Sequence, residues 1–293
     1  MKKIVLFDMD GTLTPARKKM TIEMCRKLDE LQKKGFEIGI VTGSDIEYLK
    51  EQCDLMLGLG PVNASRIHYL PCNGTKYYKM YNNQFQAVYE KDMWQEIGEQ
   101  NFKKLNSLLC SLQNSVATFY DLPLTGNYIV YRGSMINWCP IGRSANAANR
   151  AQWCFKDRKQ EIRKQWLRIA RQALNNHDLE NVVVKLGGET SFDIYPEGWD
   201  KTYAFKNFND EDTIYFVGDR CQPYVGNDYE AWLLANTRRN GSGHSTSGPE
   251  ETIGIIDQII FNETKFLKNV PALKRLKDDV IKTYRKKLKH IKI

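Results

Sequence analysis

The sequence predicts an α/β protein with a parallel-sheet core and an inserted α+β unit. Three observations carry this. Two short apolar runs, Ile4 to Phe7 and Ile214 to Val217, each end on acid, at Asp8 and at Gly218-Asp219, as fully buried parallel strands do. Near the start of the chain, strand-like and helix-like stretches alternate, which implies right-handed βαβ connections. In the middle this alternation gives way to long helical stretches beside strands with one polar face, the pattern of an α+β unit.

After the first apolar run, Thr21 to Lys34 carries Ile22, Leu28 and Leu31 on one face and is followed by Gly35, which suits a helix with a glycine after its end. Phe36 to Val41 reads as the second strand. Ser44 followed by Glu47 reads as a capping box that opens the next helix. Asp92 to Leu112 reads as helix, and Tyr128 to Trp138 as one alternating strand. Asp157 to Asn175 reads as a long helix with Ile162, Trp166, Ile169 and Ala173 on one face. Val182 to Leu186 is a further strand. Arg238 to Pro249, rich in Gly, Ser and Asn, reads as a surface loop, and Glu250 to Phe261 as a closing helix. The expected division is a core of residues 1–84 and 198–261, an inserted cap of residues 85–197, and a tail of residues 262–293.

The chain has 293 residues, 42% hydrophobic and 27% charged, enough to bury a core, so it is no disordered polymer. The net charge is +8, but residues 262–293 carry all of it, and the rest balances 32 basic against 32 acidic residues. The basic character therefore does not mark the body as a nucleic-acid protein. Within the tail, Leu273, Leu276, Val280, Tyr284, Leu288 and Ile291 form an apolar helical stripe among lysines and arginines. That stripe suits docking on the core or on a second subunit, or an arm for an acidic partner, nucleic acid or an anionic membrane surface. No apolar run reaches the ~20 residues of a membrane helix or the ~7–15 of a secretory signal. The seven cysteines are odd in number, widely spaced and without a C-x-x-C pair, and the four histidines share no ligand spacing. These features lead us to expect a reducing cytoplasm and neither a disulfide framework nor a zinc site.

Three strand ends carry the candidate chemistry. In Phe7 to Thr14 (F-D-M-D-G-T-L-T) two carboxylates, Asp8 and Asp10, follow a buried strand at the carboxyl end of a parallel sheet, where such folds bind ligands. One aspartate can accept a phosphoryl group and its neighbour can move protons on and off the substrate oxygen. Mg²⁺ is the natural cation between such carboxylates. In V-T-G-S-D (Val41 to Asp45) a hydroxyl residue at a strand end can hold a phosphate oxygen. Gly218-Asp219, followed by Gly226-Asn227-Asp228, supplies acids that can complete a Mg²⁺ shell opposite Asp8.

Together these motifs resemble the haloacid-dehalogenase superfamily and, more closely, the eukaryotic-type phosphomannomutases. The resemblance covers nearly all of residues 3–261. Its most specific parts are T-P-A-R (Thr14 to Arg17), P-I-G-R-S (Pro140 to Ser144), S-F-D-I-Y-P-E-G-W-D-K (Ser191 to Lys201) and G-P-E-E-T (Gly248 to Thr252). The resemblance implies a Rossmann-like core with an inserted α+β cap, and interconversion of mannose 6-phosphate and mannose 1-phosphate that feeds GDP-mannose synthesis. It implies Asp8 as the phosphate-accepting nucleophile and Asp10 as general acid/base. Ser44 and Lys201 would hold the transferring phosphate, and Mg²⁺ would be bound by Asp8, Asp219 and the Asp10 backbone. Arg17, Arg132, Arg143, Arg150, Ser191 and Asp193 fall at substrate-contacting positions. A hexose 1,6-bisphosphate activator and a cytosolic homodimer joined through the caps are implied as well. A sugar-phosphate phosphatase on the same fold is the alternative; it would share Asp8, Asp10 and Asp219 but has no need of an arginine clamp.

The chain departs from the family pattern in places. Thr42 replaces a glycine, Cys72 a glutamate, and Arg220 a lysine. The loop from Pro223 to Asp228 is one residue longer. Ala231-Trp232-Leu233-Leu234 lacks the aspartate, at about Leu234, that would hold a second, structural cation.

Overall fold

Strand β1 (Lys3–Asp8) is buried from Ile4 to Asp8, because it lies at the centre of a sheet covered on both faces. The computed structural model describes residues 1–268, apart from 59 and 224. After β1 come α1 (Ile22–Lys33), β2 (Glu37–Val41), α2 (Ile46–Gln52), α3 (Asp54–Gly58), β3 (Ile67–Leu70), and the hairpin β4 (Lys76–Tyr81) and β5 (Gln84–Glu90). The inserted unit follows: α4 (Met93–Ile97), α5 (Glu99–Phe119), β6 (Ile129–Tyr131), β7 (Ile136–Trp138), α6 (Ala147–Gln160), α7 (Ile162–Asn175), β8 (Val182–Gly187) and β9 (Ser191–Pro196). The chain then returns through a 3₁₀ turn, Lys201–Asn207, to β10 (Thr213–Gly218), α8 (Tyr229–Thr237), β11 (Gly241–Ser245) and α9 (Pro249–Lys268).

The core is a seven-stranded sheet in the order β11-β10-β1-β2-β3-β4-β5, parallel from β11 to β3 and antiparallel beyond. The chain leaves β1 for β2 on one side and returns to β10 on the other. The strand order therefore reverses at β1, and the register sets Phe7 beside Val217 and Asp8 beside Val41. Such a reversal opens a crevice at the carboxyl ends of the strands. One sheet face packs against α1 and α9, burying Met24, Leu28, Leu31, Ile256 and Ile259. The other packs against α8 and the 3₁₀ turn through Ala204, Phe205 and Ala231. The cap has its own four-stranded antiparallel sheet, β6-β7-β9-β8, and a separate core built around Trp138 stacked on Phe192, ring centroids 4.6 Å apart.

The α/β core and the α+β insert are thus as the sequence predicts, and several elements differ in instructive ways. In α1 the buried stripe is Met24, Cys25, Leu28, Leu31 and Gln32, and Ile22 at the first position falls off it and is exposed. The expected helix over 92–112 is two, because Gly98 at φ +80° separates α4 from α5, which runs on to Phe119. The expected single strand over 128–138 is a hairpin that turns at Gly133, φ +83°. The expected helix over 157–175 is the end of α6 and all of α7. Glu161 breaks it in a left-handed conformation, and the buried Asp157 carboxylate accepts hydrogen bonds from Arg163 N at 2.7 Å and Nε at 2.6 Å. Ile169 lies off the α7 stripe of Ile162, Trp166, Leu167, Ala170 and Leu174 and is exposed.

The stretch expected as a loop at 238–249 contains β11, an edge strand whose sequence, Gly-Ser-Gly-His-Ser, has no apolar signal. Close packing explains its glycines: a Cβ on Gly243 would stand 2.5 Å from the Trp232 carbonyl oxygen on α8. Strand β5 pairs with β4 across an Asn82-Asn83 turn in which both residues have positive φ, so the core sheet extends past residue 84 to Glu90. The closing helix α9 is longer than 250–261. The tail stripe from Leu273 to Ile291 lies outside the described residues. Among those residues no helix is long and apolar enough to cross a membrane, and all seven cysteines are free.

The cap core rests on Trp138, which is fully buried and donates from Nε1 to Gln113 Oε1 at 2.8 Å. Trp138→Ala should lower stability by about 3–5 kcal/mol in equilibrium urea unfolding. A loss under ~1 kcal/mol would contradict this packing.

Candidate active site

Strand β1 delivers Asp8 to the crevice, and the turn after it is closed by backbone bonds from Leu13 N and Thr14 N to the Met9 carbonyl. Gly11 is required in that turn, because its φ is +85° and a Cβ there would lie 2.5 Å from Asp219 Oδ2. Asp219 follows β10, the neighbour of β1. Asp228, at the cap of α8, is fully buried beside it. Asp8, Asp219 and Asp228 each offer an oxygen, all within 4.8 Å of one another.

Lys201 reaches into this cluster from the 3₁₀ turn. Its ammonium, 2% exposed, donates to Asp8 Oδ1 and Asp228 Oδ1. Burial opposes that charge, but Asp228 and Asp8 overcome it and hold Lys201 well above the ordinary lysine value. Burial is also the main force that raises Asp8 well above the usual carboxylate range; Lys201 opposes it, and Asp228 and Asp219 add to it. Burial, then Asp228, pushes Asp219 up to about 6. The Lys201 ammonium, with Arg220 Nε 3.6 Å from Asp219 Oδ2, still leaves the three carboxylates short of positive charge. Asp228 has both oxygens engaged, Oδ1 by Lys201 and Oδ2 by Arg220 N at 3.0 Å, which leaves oxygens of Asp8 and Asp219 facing the pocket. Asn227 Oδ1, also in the pocket lining, is buried without a hydrogen-bond partner among the described residues. An all-oxygen donor set with excess negative charge fits a hard divalent cation.

Asp10 stands apart from the cluster. Its Oδ1 accepts from Arg17 N at 2.8 Å and from the Tyr48 hydroxyl at 2.9 Å, which aims the carboxylate into the pocket. Burial, then the Asp10 carboxylate, raises Tyr48 and keeps its hydroxyl a donor. Ser44 lines the pocket as expected, but the cap of α2 is Asp45, whose side chain accepts from Tyr48 N at 2.9 Å. The Ser44–Glu47 capping box does not form. Ser44 is thereby left free of any capping duty.

The opposite wall comes from the cap. Arg132, in the β6–β7 turn, donates to the Gly43 carbonyl at 2.6 Å and ties cap to core. Asn137 on β7 organises the rest. Its Nδ2 donates to Ser191 Oγ at 3.0 Å and Asp193 Oδ1 at 2.7 Å, and its Oδ1 accepts from Arg143 Nη1 at 3.0 Å. Arg150 on α6 donates to Thr190 Oγ1 at 2.9 Å and to the Arg143 carbonyl at 3.0 Å. Burial, then the crowding of Arg132 and Arg17, lowers Arg143; burial, then Arg17, lowers Arg150. The pocket, about 210 Å³, thus joins an acidic floor to a basic roof, with Arg17, Arg132, Arg143 and Arg150 all in its lining.

Every site residue expected from the sequence stands in or against this one pocket; Lys201 lies directly beneath it. Two contributors were not assigned roles in advance, Tyr48 and Asn137, and Asp228, expected among the acids of the Mg²⁺ shell, instead has both oxygens engaged by Lys201 and Arg220 N. Asp228 sits in the Gly-Asn-Asp turn, a visible signal, whereas nothing in the sequence marks Tyr48 or Asn137.

The sequence model of the eukaryotic phosphomannomutases matches residues 24–262. The chain belongs to that family. It is 35% identical to a phosphomannomutase of Schizosaccharomyces pombe over 261 residues, covering 88% of this chain and 94% of the relative. It is 33% identical to phosphomannomutase 1 of Homo sapiens over 265 residues, covering 89% and 93%. Among solved structures, the IMP-nucleotidase of Plasmodium falciparum superposes with a TM-score of 0.62 at 13% identity, over 89% of this chain and 68% of that one. Trehalose-6-phosphate phosphatase of Aspergillus fumigatus gives 0.50 at 14% identity, over 88% and 92%. These two likenesses show that this phosphomannomutase-family chain shares the α/β fold of both proteins.

The raised Asp219 has a consequence for stability without a cation. Its folded value of about 6 exceeds its unfolded one, so stability is full below pH 4 and is lost as pH rises through 6. Asp219→Asn should therefore stabilise the metal-free protein at pH 7, by up to ~3 kcal/mol, and flatten its pH profile between 4 and 7. Unfolding curves with a chelator present would show it; an unchanged or steeper profile would contradict the assignment.

Proposed function

We propose that this chain interconverts mannose 6-phosphate and mannose 1-phosphate through a phosphorylated Asp8. The observation that carries this reading is the two-ended pocket. A hexose bisphosphate needs a phosphoryl-transfer centre at one end and a separate anion grip at the other, and the pocket offers both. Guanidinium groups grip phosphate through paired hydrogen bonds, and Arg132, Arg143 and Arg150 of the cap line this pocket with Arg17 of the core.

In this mechanism Asp8, phosphorylated by a hexose 1,6-bisphosphate activator, faces the sugar hydroxyl. Asp10 takes the hydroxyl proton as the sugar oxygen attacks phosphorus and the Asp8–phosphate bond breaks. The arginines of the roof hold the distal phosphate. The bisphosphate then turns over, Asp8 attacks the other phosphate, and Asp10 returns the proton to the leaving sugar oxygen. Lys201 and Ser44 hold oxygens of the transferring group. Mg²⁺, held by Asp8, Asp219 and the Asp10 backbone, would neutralise charge on the phosphoryl group. Asp228 anchors Lys201 and so orients Asp8. Tyr48 and the Arg17 amide keep Asp10 aimed. The cap closes the pocket through Arg132 and excludes water, which would otherwise hydrolyse the aspartyl-phosphate. The product, mannose 1-phosphate, is the form consumed in making GDP-mannose. Seven free cysteines support a cytoplasmic setting. A homodimer joined through the caps also belongs to this proposal, and the exposed Phe119 and Phe155 on the cap support it.

An assay with mannose 1-phosphate, Mg²⁺ and a hexose 1,6-bisphosphate primer tests the reading. Asp8→Asn should abolish turnover and covalent phosphorylation, because an amide of nearly the same shape is a poor nucleophile. More than trace activity in that variant would refute Asp8. Arg143→Ala should lower kcat/KM roughly 10- to 150-fold, the equivalent of a charge-assisted contact of about 1.5–3 kcal/mol. A wild type that needs no primer and releases mainly free phosphate would show a phosphatase instead.

A further inference from the structure

A second cavity, about 340 Å³, lies at the other end of the core sheet, where the parallel strands begin. It is bounded by Lys2 before β1, Glu37 at the start of β2, His68 on β3, Lys79 on β4 and Asp212 before β10. Asp8 sits at the carboxyl end of β1, so the length of the sheet separates the two sites. The volume is at the small end of the range for ligand pockets, roughly 300–1,000 Å³.

The hydrogen bonds in this cavity are unevenly spent. Its two carboxylates are engaged. Glu37 receives Lys2 Nζ at 3.0 Å and His68 Nε2 at 2.8 Å, and Asp212 receives the backbone amides of Lys2 at 2.7 Å and Asn209 at 3.1 Å. His68, 5% exposed, spends its other nitrogen on the Tyr77 hydroxyl at 2.9 Å. Burial, then Lys79, lowers His68 to about 4, so the ring is neutral at pH 7. Lys2 Nζ and Asn207 Nδ2 are engaged as donors, and three other donor groups are not. Lys79 is partly buried, and among the described residues its ammonium has the Tyr77 ring, 6.0 Å away, and no ion pair or hydrogen bond. The Arg66 guanidinium and the Asn209 side-chain amide line the same cavity, and neither makes a side-chain hydrogen bond or ion pair among the described residues. Burial lowers Lys79 to about 8, against the pull of the Glu37 carboxylate, and Lys2 adds to the lowering.

A cavity whose two carboxylates are paired, and into which Lys79 and the exposed Arg66 and Asn209 bring unspent donors, is complementary to an anion. The donors come from three separate segments, which suits a tetrahedral oxyanion with three free oxygens better than a planar carboxylate with two. Arginine and lysine together supply a planar fork and a point charge, both suited to phosphate. We propose that this cavity is a second ligand site, built for the phosphate group of a small metabolite and separate from the pocket at Asp8.

Calorimetric titration of the full chain with inorganic phosphate, in Mg²⁺-free buffer, tests this. The wild type should show two sites. Arg66→Ala/Lys79→Met should weaken one of them at least tenfold and leave the other unchanged, whereas Arg143→Ala should weaken only the other. The single variant Arg66→Ala, at an exposed position, keeps the fold and should weaken the same site about fivefold. Titration with acetate should give no binding at the Arg66–Lys79 site. Isotherms unchanged by both Arg66 variants would overturn the proposal, as would acetate binding there as tightly as phosphate.

Discussion

A single buried ammonium holds the centre of this molecule together. Lys201 lies among carboxylates from two distant segments, Asp8 on the first strand and Asp228 at the head of α8. A lysine this deep is costly to bury and survives only because it is paired on two sides. Removing one partner would leave an unpaired charge in a dry site, so the three residues act as a unit. The turn that carries Lys201 also marks where the chain re-enters the core from the cap. The same contact that fixes the charge therefore fixes the junction between the two layers.

The electrostatics of the rest of the pocket follow from that pairing. With Asp228 spent on Lys201 and the Arg220 amide, Asp8 and Asp219 face the pocket with negative charge in excess. Across the cavity the guanidinium groups crowd one another until burial and mutual repulsion lower Arg143 and Arg150. Each wall is unstable in its own charge, and the two cannot neutralise each other at a distance. A ligand anionic at both ends, together with a divalent cation, resolves both. Asn137 is the mechanical counterpart of Lys201 on the cap side. One side chain joins Arg143, Ser191 and Asp193, and Arg150 is tied in turn to the Arg143 carbonyl, so Arg143 and Arg150 are held in one network.

The sequence made much of this legible, for physical reasons. Buried parallel strands are short apolar runs, so β1 and β10 and the acids that end them stand out. The arginines and Lys201 were reached through motif resemblance, since nothing local to a lone surface-type residue says that it converges on a pocket. Positions set by tertiary contact stayed hidden. β11 has no apolar residue, and its strand is defined by the approach of α8 to Gly243. Glu161 breaks a helix that its neighbours would continue, because the Asp157 carboxylate offers Arg163 a better start. Ser44 has the spacing of a cap, yet the adjacent Asp45 takes that role and frees the serine for the pocket. Tyr48 and Asn137 matter only through what they touch, Asp10 and Arg143, and that contact is absent from the chain's linear order.

The central claim is that one closed pocket grips both phosphates of a hexose bisphosphate and keeps water from the phosphorylated Asp8. The most direct measurement follows the label of a hexose 1,6-bisphosphate carrying radioactive phosphate, mixed with the protein, Mg²⁺ and excess unlabelled mannose 1-phosphate in a single turnover. The account predicts that label moves to mannose phosphates through the protein, with only a small fraction appearing as free phosphate. Label released mainly as free phosphate, with no labelled mannose phosphate formed, would contradict it.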